Sequence, residues 1–241
     1  MNIKNYLVLL VTMLTGGLAF QACNTDSDPV YMPTAYVNFV NAYAGADALG
    51  IMLDNNNINT ATGGQPLEYG KYIGYLPAYP GSRLLSAGIP GTNTTVVDST
   101  ITLEDSTFYT SFFYGHQDTV SSILVADKTP EDYDQSNAYV RFFHLSENTP
   151  EVNVNLINSG TPTEVFSNRA IDDQASAEAN ADFTAVDEGS YTIQVTDTDG
   201  TELALRDEVI ALNAGKYYTI LTRGIIDTTQ TPLVVGVFQH Q

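Results

Sequence analysis

The chain repeats itself, and the repeat sets its architecture. Ala35-Tyr36-Val37-Asn38-Phe39-Val40-Asn41 returns as Ala138-Tyr139-Val140-Arg141-Phe142-Phe143-His144. At the same offset, Leu49 to Leu53 matches Val152 to Leu156, and Gly81-Ser82 lines up with Gly189-Ser190 after a small length change. Ile101-Thr102-Leu103 and Phe108-Tyr109-Thr110 align with Ile210-Ala211-Leu212 and Tyr217-Tyr218-Thr219, and Gly115 falls on Gly224. Each half closes on an apolar run, Ile123-Leu124-Val125 or Leu233-Val234-Val235. A duplicated unit of about 100 residues is large enough to be a domain with its own core.

Each copy reads as β. Val152, Val154 and Leu156 alternate with Asn153 and Asn155, the period-two pattern of a strand with one wet face. Tyr191 to Val195 alternates likewise, and Asp197-Thr198-Asp199-Gly200 supplies a turn before a strand from Glu202 to Leu205. Lys216 to Thr222, dense in aromatic and β-branched residues, suits a strand covered on both faces. Asp172 to Asp182 comes nearest to a helical pattern and is expected to be a loop or short turn. The expectation is all-β, two tandem immunoglobulin-like sandwiches over 35–128 and 138–241, with Pro- and Asp-rich 129–137 as the linker and hinge.

The first residues give an address. Lys4 precedes an apolar run from Tyr6 to Phe20, and Gln21-Ala22-Cys23 closes it. That is the layout of an export signal over 1–22, and it is short of the about 20 apolar residues of a bilayer span. Cys23 has no partner for a disulfide, because the chain has no second cysteine. Its place resembles a bacterial lipobox, with Phe20 where leucine is usual, which makes Cys23 the expected lipidation site. Polar, acidic Asn24 to Pro29 begins a tether over 23–34. It resembles the acidic tags of surface-displayed lipoproteins, so the expected location is the outer membrane, at the cell surface or on the periplasmic face.

Nine basic residues against 28 acidic give a formal charge of −19, one unit more negative once Lys4 is removed. Such a surface repels a polyanion, which argues against a nucleic-acid partner. Hydrophobic residues at 43% and 15 tyrosines are enough to build a core rather than a disordered acidic chain.

Three places in the sequence resemble the family known as the domain of unknown function 4397, found in tandem in exported and lipid-anchored bacterial proteins. They are Ala138 to Ser146 with Pro150 to Val154, Tyr69 to Pro77 up to Gly81, and Leu212 to Thr219. The first copy departs at the last of these, with Asp105-Ser106-Thr107 in place of Ala214-Gly215-Lys216. The family carries no established catalytic residues, so the resemblance implies none here, and it implies no cofactor.

Candidate site residues are few. His116, His144 and His240 lie far apart in sequence without metal-ligand spacing, and His144 reads as a polar strand end. Asp197 and Asp199 open like a calcium loop but lack its later ligands, and a hairpin turn needs the same residues. Glu131-Asp132-Tyr133-Asp134 in the linker is a second calcium candidate. Tyr69, Tyr72, Tyr75 and Tyr79 could present aromatic faces to a sugar, with Tyr75 and Tyr79 as the stacking residues. Spacing of three, however, puts Tyr72 and Tyr75 on opposite faces of a strand, which favours packing. Asp98-Ser99-Thr100, Asp105-Ser106-Thr107, Asp118-Thr119-Val120 and Asp227-Thr228-Thr229 resemble a bacterial O-glycosylation sequon, making Ser99, Ser106, Thr119 and Thr228 candidate acceptors. Carboxylate pairs such as Asp172-Asp173 and Asp187-Glu188 are expected by chance in so acidic a chain.

These readings converge on a lipid-anchored, non-enzymatic binding or adhesion module that meets a glycan or protein ligand at loops such as 54–62 or 168–180. The alternatives are a spacer or subunit of an envelope assembly and, further off, a carboxylate-based glycoside hydrolase.

Overall fold

A computed structural model describes residues 31–117, 119–226 and 228–240; the expected export signal, Cys23 and most of the tether lie outside them. Residues 33–241 form one compact unit. Among the described residues, no helix is long and apolar enough to cross a membrane.

The first half holds β1 (Ala35–Tyr43), β2 (Ala48–Leu53), β3 (Asn56–Asn57), β4 (Leu67–Glu68), β5 (Leu76–Ala78), β6 (Gly81–Gly88), β7 (Thr95–Leu103), β8 (Phe108–His116) and β9 (Thr119–Ala126). The second holds β10 (Asn137–His144), β11 (Val152–Asn158), β12 (Thr161–Arg169), β13 (Thr184–Asp187), β14 (Gly189–Asp197), β15 (Glu202–Leu212), β16 (Tyr217–Arg223) and β17 (Val234–Gln239). Two sheets run β5-β1-β8-β9 and β13-β10-β16-β17, and two run β3-β2-β6-β7 and β12-β11-β14-β15. Each half is therefore a pair of sheets in the same strand order. In both, the opening strand pairs in parallel with the penultimate one, Tyr36 opposite Phe108 and Tyr139 opposite Tyr217. That register fixes the equivalent positions of the two copies.

The four sheets make three apolar layers. Alternate residues of β1 (Val37, Phe39, Tyr43) meet Leu49, Ile51 and Leu85 inside the first sandwich. Val140 and Phe142 meet Val152, Val154 and Ile193 inside the second. The residues between them along the strands would face water in an isolated sandwich. Here they build a third core: Val40, Ala42, Phe112 and Val125 from the first half, with Phe143, Leu145, Leu221 and Phe238 from the second. These are four pairs of equivalent positions, so the halves meet through the same face. β1 and β8 are buried along nearly their whole length because both faces are covered.

Two glycines that align in sequence have one structural reason. Gly115 at φ 121° and Gly224 at φ 89° end β8 and β16, and a Cβ there would lie 2.1 Å from the carbonyl oxygen of Thr119 or Pro232. Backbone approaches backbone where only hydrogen fits.

The segment 172–182 differs from the expected loop. Its centre is a short helix α1 (Gln174–Ala179), started by Asp173, whose side chain accepts from the Ser176 N–H while Ser176 returns a bond to the Asp173 N–H. Tyr69 to Tyr75 also differs: strand structure stops at Glu68 and resumes at Leu76, so the tyrosines sit on an irregular arm rather than a strand.

Candidate functional site

Both arms reach across to the other half. Tyr69 lies under the Arg223 guanidinium at 5.1 Å, Tyr72 packs on Phe238 at 5.0 Å, and Tyr75 contacts His240. In return α1 puts Ala177 into the shared core, and Gln174 brackets Leu124 of β9, accepting from its N–H at 2.9 Å and donating to its carbonyl at 2.8 Å. The spacing of three in the tyrosine series is the stride of this arm along its neighbour.

At the junction lies a closed ring of hydrogen bonds. Arg141, on β10, is fully buried, and its Nη2 pairs with Asp127, just past β9. Its Nε donates to Thr219 Oγ1 at 2.8 Å. Thr219 then donates to His240 Nε2 at 2.7 Å, His240 Nδ1–H donates to the Tyr75 hydroxyl at 2.6 Å, and Tyr75 donates to Asp127 at 2.7 Å. Thr110 adds a third donor to the same carboxylate at 2.7 Å. This direction uses every proton once and leaves His240 neutral. Burial, then the Arg141 charge, hold the His240 pKa down at about 4, and burial with the Asp127 charge pushes the Tyr75 hydroxyl well up. Arg141 also lies over the Phe183 ring at 4.6 Å and the Phe143 ring at 5.1 Å.

The repeat register makes sense of these residues. Asp127 N–H donates to the Phe108 carbonyl and His240 N–H to the Tyr217 carbonyl, so Asp127 and His240 are equivalent positions. Arg141 is equivalent to Asn38, Thr219 to Thr110, and Phe183 to Tyr75. The same shelf carries different chemistry in the two copies.

Above the ring opens a cleft of about 190 Å³ walled by Tyr75, Phe108, Phe183 and Tyr217, with Asp127 and His240 at its floor and Lys128 and Thr129 at its edge. Aromatic ladders back both walls: Tyr36 stacks on Phe108 at 4.7 Å, and Tyr133, Tyr139 and Tyr217 stack in succession with Phe183 edge-on at 5.2 Å. The expected stacking pair is thus split. Tyr75 is in the cleft, and Tyr79 is 74% exposed elsewhere.

The remaining candidates fall as follows. Asp197 accepts from the N–H groups of Asp199 (3.0 Å) and Thr201 (2.8 Å) in a turn closed by Gly200 at φ 86°, so its carboxylate serves the hairpin. In the linker, Asp134 binds the Ser136 N–H and hydroxyl, which hold its carboxyl below the usual range. Among the described residues no group of three or more His, Cys, Asp or Glu is placed to hold a metal ion. Ser99 sits in β7 with a buried hydroxyl, whereas Ser106 and Thr119 are exposed and Thr228 is half-buried. In the loop 54–62, Asn59 is buried and its Oδ1 accepts from the Ile51 N–H at 2.7 Å, so this loop is partly structural. Loop 168–180 is the α1 arm and is spent on the junction.

His144 is the last residue of β10, as expected, and more than a polar end. It is fully buried, donating from Nε2 to the Pro150 carbonyl at 3.1 Å and accepting from Thr222 at 3.0 Å, and burial lowers its pKa. His240, read as isolated, belongs to the ring. Asp127 and Arg141 carry no motif of their own in the sequence. The signal was there: an arginine inside an apolar strand on the same face as Tyr139 and Phe143, where the other copy carries Asn38.

Comparison with known proteins gives a family. The model for the domain of unknown function DUF4397 matches residues 35–155, the first sandwich and the opening strands of the second. No curated protein matches the chain. Among solved structures, a family-26 carbohydrate-binding module of Eubacterium rectale Amy13K, in complex with maltoheptaose, has 11% identity and a TM-score of 0.24, covering 86% of this chain and 97% of that one. A streptococcal virulence factor described as binding α-glucan has 10% identity and a TM-score of 0.25 over 86% and 97% of the two chains. A leucine-rich repeat protein of Bacteroides thetaiotaomicron has 13% identity and a TM-score of 0.23, with 84% of this chain covering 27% of that one. Likeness at this level carries no argument about ligands.

Proposed function

We propose, from the premise that this chain belongs to the DUF4397 family, that it is a lipid-anchored cell-envelope protein acting as a non-enzymatic binding module, with the junction cleft as its ligand site. The observation that carries the reading is the cleft itself: four aromatic walls around about 190 Å³, with polar groups at floor and edge. Apolar walls with a few convergent polar groups are the usual make-up of a small-ligand site. The volume suits one ring-sized unit, such as a terminal sugar presenting its C–H face to an aromatic ring.

The floor supports binding rather than catalysis. A general base or nucleophile must have a lone pair or proton aimed at the substrate. Asp127 already accepts from three donors, and both nitrogens of His240 are engaged within the ring. We read each sandwich as immunoglobulin-like, supported by its two sheets of short strands packed over one apolar core. The anchor rests on the sequence around Cys23, and surface display on the acidic tether.

Glycan-array screening followed by calorimetry with purified protein tests the site. Phe108 is 42% exposed, so its truncation to alanine is expected to cost less in folding than loss of a buried ring, which a thermal melt of the variant checks. Phe108→Ala and Tyr217→Ala are each expected to weaken binding at least tenfold. Binding that survives both substitutions overturns the cleft assignment. For the anchor, Cys23→Ser is expected to move the protein from the membrane fraction to the soluble one, and a membrane-bound variant refutes it.

A specific observation favours the spacer or subunit alternative. β15, eleven residues at a sheet edge, exposes Leu205 at 47% and Val209 at 62%. Arg206, Asp207 and Glu208 lie between them, the charge pattern that protects an edge from pairing, so the cleft is the stronger reading.

A further inference from the structure

The repeat equivalence exposes a second site on the β8 and β16 side of the stack. Tyr114 and Arg223 are equivalent, the residues directly before Gly115 and Gly224. Each reaches over the opposite half's arm at equivalent points, Asp172 and Gly70, whose N–H groups bond the carbonyls of His144 and Asn41. The first contact is complete: the Tyr114 hydroxyl donates to the Asp172 carbonyl at 2.7 Å. The second is open. Arg223 lies between two glycines, where a Cβ on Gly70 would sit 2.5 Å from its Nη2 and one on Gly236 would sit 3.0 Å from its Nη1. Its guanidinium covers Tyr69, and both Arg223 Nε and the Tyr69 hydroxyl are shielded from solvent without a hydrogen-bond partner. The Nε of Arg206, whose charge acts on Arg223, is a third such atom.

Unpartnered buried donors are rare and costly. The usual remedy for an arginine is a carboxylate, and this chain holds 28 acidic residues against nine basic ones. Among the described residues none pairs with Arg223. Carboxylate supply is not the limit, and the two glycines let the guanidinium lie where any Cβ would collide with it. The adjoining pocket, lined by Gly70, Tyr72, Arg223, Gly236 and Phe238 among others, measures about 50 Å³. A water's share of liquid volume is about 30 Å³, so the space takes a carboxylate head and not a whole sugar.

We propose that Arg223, lying over the Tyr69 ring, forms an anion site for a ligand carboxylate, held by the arginine fork at the Gly70 and Gly236 pocket. The carboxylate can come from an acidic sugar or from a peptide C-terminus, and planar bidentate geometry is what an arginine fork selects. The site is separate from the aromatic cleft and does not depend on it.

Melting curves of the full protein at fixed ionic strength and pH 7 provide the test. The probes are galacturonate and N-acetylalanine, with glucose and N-acetylalaninamide as their uncharged controls. Saturating carboxylate is expected to raise Tm by about 3 °C while the controls leave it unchanged. A rise with galacturonate alone assigns the site to acidic sugars, and a rise with N-acetylalanine alone assigns it to peptide ends. Equal rises assign it to the carboxylate as such. Arg223→Gln is expected to abolish the rise, and Tyr69→Phe, which keeps the ring under the arginine, to preserve it. The amide NMR signals of Gly70 and Gly236 are expected to move on titration in the unmodified protein, a readout that needs no variant. The site is refuted by carboxylates and controls acting alike, by an unchanged rise in Arg223→Gln, or by shifts that map away from the two glycines.

Discussion

Replacing Asp127 by asparagine leaves the side chain in place and removes its charge. Arg141 is 0% exposed and Asp127 is 6% exposed at the side chain, so the guanidinium has no water to turn to. Breaking one partner of a buried pair costs about 3–5 kcal/mol. Asparagine also turns one acceptor oxygen into a donor, against a site where Arg141, Tyr75 and Thr110 all donate. About 4 kcal/mol is the expected loss, a fall in Tm of about 8–16 °C for a domain of this size. Urea unfolding followed by tyrosine fluorescence suits a chain with 15 tyrosines and no tryptophan. The expected result is a lower midpoint with an unchanged slope. The double variant Asp127→Asn with Arg141→Met removes the stranded charge and is expected to recover at least half of the loss. A single-variant cost under about 1 kcal/mol, or a double variant equal to the sum of the singles, would refute a coupled buried pair.

Three other outcomes follow from the geometry. His240 titrates near 4 when folded against 6.5 unfolded, so as pH falls below 6.5 the unfolded chain takes up a proton that the folded one does not. Stability is full above pH 6.5 and falls by about 2 kcal/mol by pH 5, with His144 acting in the same direction; in His240→Asn the drop measured by urea titration at the two pH values becomes smaller. Gly224→Ala meets both a positive φ and the Pro232 carbonyl, and about 3–5 kcal/mol of destabilisation is expected in thermal melts. Gln174→Ala unbrackets Leu124, so exchange of the Leu124 amide by NMR is expected to quicken about tenfold with the rest of β9 little changed.

Much of this fold is legible in the chain because its signals are local. Alternation in Val152 to Leu156 and the turn at Asp197 to Gly200 each depend on a few neighbours in sequence, and Gly115 and Gly224 mark the same backbone crossing twice. The stack is harder to read, since it depends on which face of β1 and β10 meets another sheet. Lys216 to Thr222 does show the need for cover on both sides, but not what supplies it. The irregular arm defeats a period-two reading of Tyr69, Tyr72 and Tyr75, because its stride is set by the neighbouring sheet. α1 has too few turns to show a stripe, and its capping box carries Ser176 in place of the usual Glu or Gln. The cleft joins residues as far apart as Tyr75 and His240, and no pattern within either copy brings those together.

The meeting of equivalent faces has a consequence for how such a site can arise. Two identical chains that met through this surface would carry every substitution twice, so an acid placed on one side would face its own twin. Joined in one chain, the copies are free to part ways. Asn38 and Arg141 occupy one position, Asp127 and His240 another, and a plus charge on one copy answers a minus charge on the other. Fusion of the halves thus turns a self-matching contact into one with polarity, and an asymmetric ligand can be told which way round to sit.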